Sequence, residues 1–205
     1  MSEPTETTRA DRILGVVLAA GAGTRYGMPK ILAHGGEWLE HAVVSLRDGG
    51  CDDVVVAMGA AVVDPPAGAR ALIVDRWADG VGTTVAEALR EAREHPDVAG
   101  VVLHVVDTPG VGADVVARVV AAGQCRRDGL ARAVFDGRPG HPVYLGADHL
   151  DPALDVLTGD RGAQIYLRDR NVAVIECGDL ASGHDIDNNI DDDIDDDTHE
   201  RPTPD

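Results

Sequence analysis

From Ile13 to Lys30 the sequence runs ILGVVLAAGAGTRYGMPK. Its first part, Ile13–Ala20, is a short unbroken apolar run stopped by Gly21, which predicts a buried parallel strand rather than a helix. Gly21–Lys30 then forms a glycine-rich loop beyond the carboxyl end of that strand. Working outward, Glu37–Asp48 carries Leu39, Ala42, Val43 and Leu46 at helical spacing and is closed by Gly49-Gly50. Asp53–Met58, Ala71–Asp75, Gly100–Val106 and Val172–Glu176 read as further strands. Val81–Glu94, Ala113–Ala122, Ala147–Leu157 and Gly162–Arg168 read as helices. Between them, Ala131–Phe135 and Pro142–Leu145 flank Asp136-Gly137-Arg138-Pro139-Gly140, a predicted hairpin or β excursion near 131–145. Strands alternating with helices predict an α/β fold with a mostly parallel sheet, in which ligands collect beyond the carboxyl ends of the strands. Gly21 and Asp107 both fall at such ends.

The chain has 205 residues, a net charge of −18 and 44% hydrophobic residues, enough for one domain with a substantial core. Ten acidic residues and one Arg lie between Asp185 and Asp205, so half of the net charge sits in the last tenth of the chain. Residues 1–11 and 189–205 are expected to be disordered tails around a domain at 12–188. The acidity argues against nucleic-acid binding, and no apolar run approaches the length of a membrane span. The polar, acidic N-terminus lacks the pattern of a signal peptide, and Cys51, Cys125 and Cys177 are scattered. A cytoplasmic location is expected. Of the 18 Lys and Arg residues only Lys30 is a lysine, a compact charge on a flexible stem where the rest of the chain uses planar guanidinium groups.

Backbone N–H groups in a glycine-rich loop can approach a phosphate closely, and this loop carries two cations, Arg25 and Lys30. It is not a Walker A motif, because Gly27 is followed by Met-Pro and no Ser or Thr follows Lys30. It is not the dinucleotide fingerprint, because Gly21, Gly23 and Gly27 are spaced one residue too widely. Asp107-Thr-Pro-Gly without a P-loop is no GTPase switch. The series Asp185, Asp187, Asn189, Asp191, Asp193 has calcium-loop spacing, but Ile190 stands where that loop needs Gly and Asp196 where it needs Glu.

Leu18–Lys30, LAAGAGTRYGMPK, resembles the LAAGxGxRxGxPK signature of nucleotidyltransferases of the MobA-like NTP transferase family. Trp77-Ala-Asp-Gly-Val-Gly-Thr-Thr84 resembles that family's base and ribose segment, Asp107-Thr-Pro-Gly its metal-binding D-x-P segment, and Asp185-Ile-Asp187 its terminal DID. Gly140-His-Pro-Val143 and Gly159-Asp-Arg-Gly-Ala163 are similar to segments of its molybdenum cofactor cytidylyltransferase (MocA-like) branch. The chain departs from the family after Asp187, where Asn-Asn-Ile-Asp replaces the usual Thr-Pro-Glu-Asp.

The resemblance implies a Rossmann-like three-layer nucleotidyltransferase fold and a magnesium- or manganese-dependent transfer of CMP from CTP to the phosphate of a molybdopterin-type acceptor, with a target molybdoenzyme as a further partner. It implies nucleotide contacts from Leu18, Ala19, Ala20, Gly21, Ala22, Gly23 and Thr24, and from Trp77, Gly82, Thr83 and Thr84 around the base and ribose. Arg25 and Lys30 would neutralise the phosphates, with Lys30 beside the α-phosphate. Asp107 and Asp187 would hold the metal, with Asp185 a rival to Asp187. His141 would touch the acceptor or be satisfied by turn backbone; Trp77 would stack on the base or cap the core; Asp160 and Arg161 would reach the acceptor or only open a helix. His104, inside a strand, is expected in the core. Ala20, where guanylyl-transferring relatives carry Gly, predicts CTP over GTP. GTP, a sugar phosphate or methylerythritol phosphate acceptor, and a non-catalytic cofactor carrier remain as alternatives.

Overall fold

The computed structural model describes residues 12–123 and 126–187. The expected tails at 1–11 and 189–205, the aspartate series from Asp191 onward, and Cys125 lie outside the described residues. Seven strands form one sheet in the order β3-β2-β1-β4-β6-β5-β7. They are β1 (Arg12–Leu18), β2 (Asp53–Met58), β3 (Ala69–Ile73), β4 (Val98–Val105), β5 (Leu130–Phe135), β6 (Arg138–Gly146) and β7 (Ala173–Glu176). Only β6 runs against the others: it is antiparallel to both β4 and β5, and every other pairing is parallel.

β1 lies between β2 and β4, with Leu18 level with Ala57 on one side and Val105 on the other. Its side chains alternate between two cores, as the two-residue strand repeat requires. Ile13 and Val17 pack with α1 (Glu37–Asp48) and α3 (Ala113–Gly123); Leu14 and Val16 pack with α2 (Val81–Arg93), α4 (Leu150–Leu154) and α5 (Ala163–Leu167). This three-layer arrangement explains why β1 reads as a continuous apolar run. Gly15 lets α1 come close, since a Cβ there would lie 3.0 Å from Cys51 Sγ and 3.2 Å from Leu46 Cβ. The chain leaves β1 toward β2 across one face and reaches β4 across the other, so the strand order reverses between β1 and β4. A crevice opens at the carboxyl ends of strands at such a point.

The hairpin turn is narrower than its sequence suggests. Asp136 (φ 51°) and Gly137 (φ 75°) alone make a turn of the type that matches strand twist, and Arg138, Pro139 and Gly140 belong to β6. The Glu176 carboxylate accepts from the Asp136 and Gly137 amides at 3.0 and 3.2 Å, and these bonds with that from Gly178 hold it below the usual carboxylate range. The helix expected at Ala147–Leu157 shrinks to α4, preceded by a 3-10 turn at Ala147–His149. Pro152 accounts for this, because proline fits an α-helix only in its first turn. The edge strand β3 begins two residues earlier than its apolar letters indicate, since most of its side chains are exposed and the burial pattern is weak there.

His104, as expected, is in the core: fully buried on β4 level with Val17, with neither ring nitrogen hydrogen-bonded. Burial, with His141 and His41 nearby, pushes its pKa down to about 3. The folded state therefore needs a neutral ring, whereas the unfolded chain takes up a proton below about pH 6.5. Its contribution to stability is full above pH 6.5 and falls with acidification, by up to about 1.4 kcal/mol per pH unit, until the folded ring titrates near 3. His104→Leu should raise stability at pH 7 by about 1–3 kcal/mol by removing the unsatisfied polar atoms. It should also flatten the loss between pH 7 and 5, measured by urea denaturation. Equal acid sensitivity in the two proteins would refute this account.

Candidate active site

The glycine loop leaves β1 at Leu18 and turns tightly. Gly27 N donates to Gly23 O at 2.8 Å. Gly23 (φ +58°) has no room for a side chain, since a Cβ would lie 1.9 Å from Met28 O. Pro29 then leads into a 3-10 turn at Lys30–Gly36, which buried Ile31 and Ala33 pin to the core below α1. Lys30 is thereby aimed back over the sheet. Its side chain is only 13% exposed, and its ammonium lies 2.8 Å from Asp107 Oδ2 and 3.1 Å from Asp187 Oδ1.

Asp107 sits two residues past β4, beside the end of β1. It is no helix cap, because α3 starts only at Ala113. Asp187 arrives from the end of the described chain. Within Asp185-Ile186-Asp187, Ile186 N donates to Asp107 O at 2.9 Å and the Ile186 side chain is buried in the α1/α3 core. Both aspartates line the cleft, and Asp187 is the one that reaches Lys30. Arg25 pairs with the other oxygen of Asp187 at 3.0 Å. At 79% exposure that guanidinium is screened and contributes little to stability. Burial by itself would push the Lys30 pKa down, but Asp107 and then Asp187 outweigh it and the net shift is upward, so the ammonium stays charged.

These groups line one cleft of about 850 Å³, the size of a nucleotide pocket. Leu18, Ala19, Ala20, Gly21, Ala22, Gly23, Thr24, Arg25, Lys30, Trp77, Thr84, Asp107 and Asp187 all border it. Gly82, Thr83 and His141 do not. Gly82 is buried behind the cleft, where its amide donates to Gly159 O at 2.8 Å and a Cβ would meet Arg161 O at 2.6 Å. Thr83, one residue on, points away from Thr84 by the helical turn, and Gly80 and Val81 stand in their place. His141 borders a neighbouring side pocket, its Nδ1 3.3 Å from Leu103 O. Trp77 lines the cleft and also covers Gly59, where a Cβ would meet it at 2.5 Å. Asp160 and Arg161 border neither cavity; Gln164, further along the same segment, borders both. Tyr26 and Gln164 went unpredicted, being uncharged residues outside any periodic pattern, although Tyr26 lies in the loop itself.

No group of three His, Cys, Asp or Glu among the described residues could hold a metal by itself. Two carboxylates converging on one point suit magnesium or manganese, which take one or two carboxylates and complete their shell with phosphate oxygens and water.

Residues 15–174 match the MobA-like NTP transferase domain. The nicotine blue oxidoreductase of Paenarthrobacter nicotinovorans is 31% identical over 192 residues, covering 85% of this chain and 92% of that protein. A crystal structure from Mycobacterium sp. strain JC1, of a homologue of a Mycobacterium tuberculosis protein, superposes with a TM-score of 0.72 at 28% identity, covering 90% of this chain and 94% of that one. The 2-C-methyl-D-erythritol 4-phosphate cytidylyltransferase of Thermus thermophilus shares the fold, with a TM-score of 0.59 at 22% identity over 85% of this chain and 92% of its own. The chain belongs to the MobA-like NTP transferase family and is an enzyme of the NTP transferase class. No helix among its described residues is long and apolar enough to cross a membrane.

If Lys30 neutralises the two carboxylates, Lys30→Met should lower stability in metal-free buffer by about 1–2 kcal/mol, a figure reduced for their partial exposure. Millimolar Mn²⁺ should restore most of it in thermal melts, and adding Asp107→Asn to the variant should abolish that response. A metal shift of equal size with and without Asp107 would place the ion elsewhere.

Proposed function

We propose that the protein transfers CMP from CTP to the phosphate of a molybdopterin-type acceptor and releases pyrophosphate. The observation that carries this reading is the convergence of Lys30, Asp107 and Asp187 at the mouth of a glycine loop, in one nucleotide-sized cleft. An acceptor phosphate oxygen attacks the α-phosphorus, the bond from that phosphorus to the bridging oxygen of the β-phosphate breaks, and pyrophosphate leaves with the electron pair. Charge grows on the leaving group, so catalysis is positioning and electrostatic stabilisation. The loop amides at Ala22, Gly23 and Thr24 would hold the triphosphate, and Arg25, free to swing from Asp187, would neutralise its outer phosphates. Lys30 would exchange its carboxylate partners for the α-phosphate. Asp107 and Asp187 would hold Mg²⁺ or Mn²⁺, which supplies charge neutralisation at the phosphates when bound.

The base preference rests on Ala20, which is buried with its edge on the cleft and whose carbonyl accepts from Ala60 N at 2.9 Å. Its methyl group crowds a purine more than a pyrimidine. A second reading has a specific observation behind it: the 31% identical relative carries the name of an oxidoreductase. The paired carboxylates and lysine favour nucleotidyl transfer, because hydride transfer has no need of a metal-holding carboxylate pair.

Pyrophosphate release should be faster with CTP than with GTP at equal concentration, and Ala20→Gly should narrow the ratio, within the ~10–200-fold that one methyl-sized contact can supply. Lys30→Ala should cost ~2.7–4 kcal/mol of barrier, about two to three decades in rate. Reduction or oxidation of nicotine blue, with no pyrophosphate from any nucleoside triphosphate, would replace this reading with the second one.

A further inference from the structure

Beside the nucleotide cleft lies a side pocket of about 60 Å³, roughly the room of a single tetrahedral oxyanion. It shares Leu18, Val105 and Gln164 with the cleft, and apart from Arg132 and His141 its walls are almost wholly aliphatic. Arg132 stands on β5, level with Val143 of β6 and Val174 of β7. Its Nε donates to Gly140 O at 3.1 Å, and its terminal nitrogens have no hydrogen-bond partner among the described residues. Among the described residues Arg132, Arg138, Arg161, Arg168 and Arg170 have no carboxylate in salt-bridge range, and of these five Arg132 alone is not solvent-exposed. A half-buried guanidinium in an aliphatic wall carries a desolvation cost that an anion would offset. Burial alone pushes its pKa down. His141 borders the side pocket, within electrostatic reach of Arg132 and also of Asp107 and Asp185 in the cleft. With Nδ1 engaged by Leu103 O, its Nε2 remains for a ligand.

We infer that Arg132 and His141 form the seat for the acceptor's phosphomonoester, a site that rests on the nucleotidyl-transfer reading for its role. The guanidinium fork takes two phosphate oxygens. The third stays turned toward the nucleotide cleft as the attacking atom, and His141 Nε2, an acceptor while Nδ1–H donates to Leu103 O, takes the hydrogen bond of that oxygen when it is protonated. A carboxylate has only two oxygens, both occupied by the fork, so it would bind without being able to react.

The probe is methyl phosphate, titrated into the full-length protein and followed by the Arg132 Nε–H and His141 ring signals in NMR spectra, with and without CTP. Saturable shifts of both signals are expected, at least about tenfold weaker with acetate. In Arg132→Gln, which keeps a donor for Gly140 O, the His141 shift should be lost. Arg132→Lys, with charge but no fork, should retain weaker binding. In turnover, Arg132→Gln should raise the acceptor KM by about 10- to 100-fold and leave the CTP KM and the melting temperature unchanged. A His141 shift that survives Arg132→Gln, or equal response to acetate, would overturn the assignment. So would a fall in melting temperature with both KM values rising together, which would make Arg132 a strap on the β6 backbone only. Methyl phosphate binding that depends on Arg132, in a protein that releases no pyrophosphate from CTP, would uphold the phosphomonoester seat and remove the nucleotidyl-transfer reading instead.

Discussion

One ammonium bound to two carboxylates holds the site together. Lys30, Asp107 and Asp187 are 77 and 157 residues apart along the chain as counted from the lysine, yet they meet within 3.1 Å. No local structure could bring them together. The meeting follows from a parallel sheet whose order reverses between β1 and β4, so that the loop after one strand and the turn after the other rise side by side. A lysine this enclosed would lose its charge to desolvation without its partners, and two carboxylates this close would repel without it. Each group makes the others tenable, and each is a group that a polyphosphate and its metal would engage in turn.

The third member of this cluster is held by unusually little structure. Among the described residues the chain has no regular element beyond β7, and its return to the cleft depends on the Ile186 side chain in the α1/α3 core and one backbone bond to Asp107 O. With Ile186 turned inward, its two neighbours line the cleft. Asp187 is thus positioned through Asp107, and a change that loosened Ile186 would reach the site as a loss of the second carboxylate rather than as a loss of fold.

Much of this was legible in the sequence, for identifiable reasons. β1, α1 and β2 are framed by apolar runs and glycines that leave few alternatives, and α1 and β2 take the bounds that their letters predict, Glu37–Asp48 and Asp53–Met58. The glycine loop was readable because its shape depends on residues without side chains, as at Gly23. Residues whose place depends on packing between distant segments were harder to read. Gly82 looks like a ligand-contact glycine and is instead where the Gly159 segment lies against α2. His141 carries a motif-like setting but faces the side pocket, since β6 alone runs against its neighbours and delivers that residue on the far side of Leu18 and Val105. Gln164 and Arg132 carry no local signal, because what distinguishes them is which cavity they border and, for Arg132, the lack of an acid beside it.

The chain's choice of cations then acquires a physical sense. At position 30, in the proposed reaction, the phosphorus would change its geometry as one bond forms and another breaks, and a mobile point charge can follow that change where a rigid fork would hold only one state. At position 132 the proposed ligand is a spectator in shape, a phosphate that keeps its tetrahedron while one oxygen reacts, and a planar fork fixes its orientation. Lys30 lines the cleft and Arg132 the side pocket, and Leu18 and Val105 border both cavities. In the proposed reaction the attacking oxygen would enter on the side of the α-phosphorus opposite the departing pyrophosphate, and a seat for the acceptor in a cavity of its own, next to the nucleotide cleft, would keep the two substrates from competing for one cation.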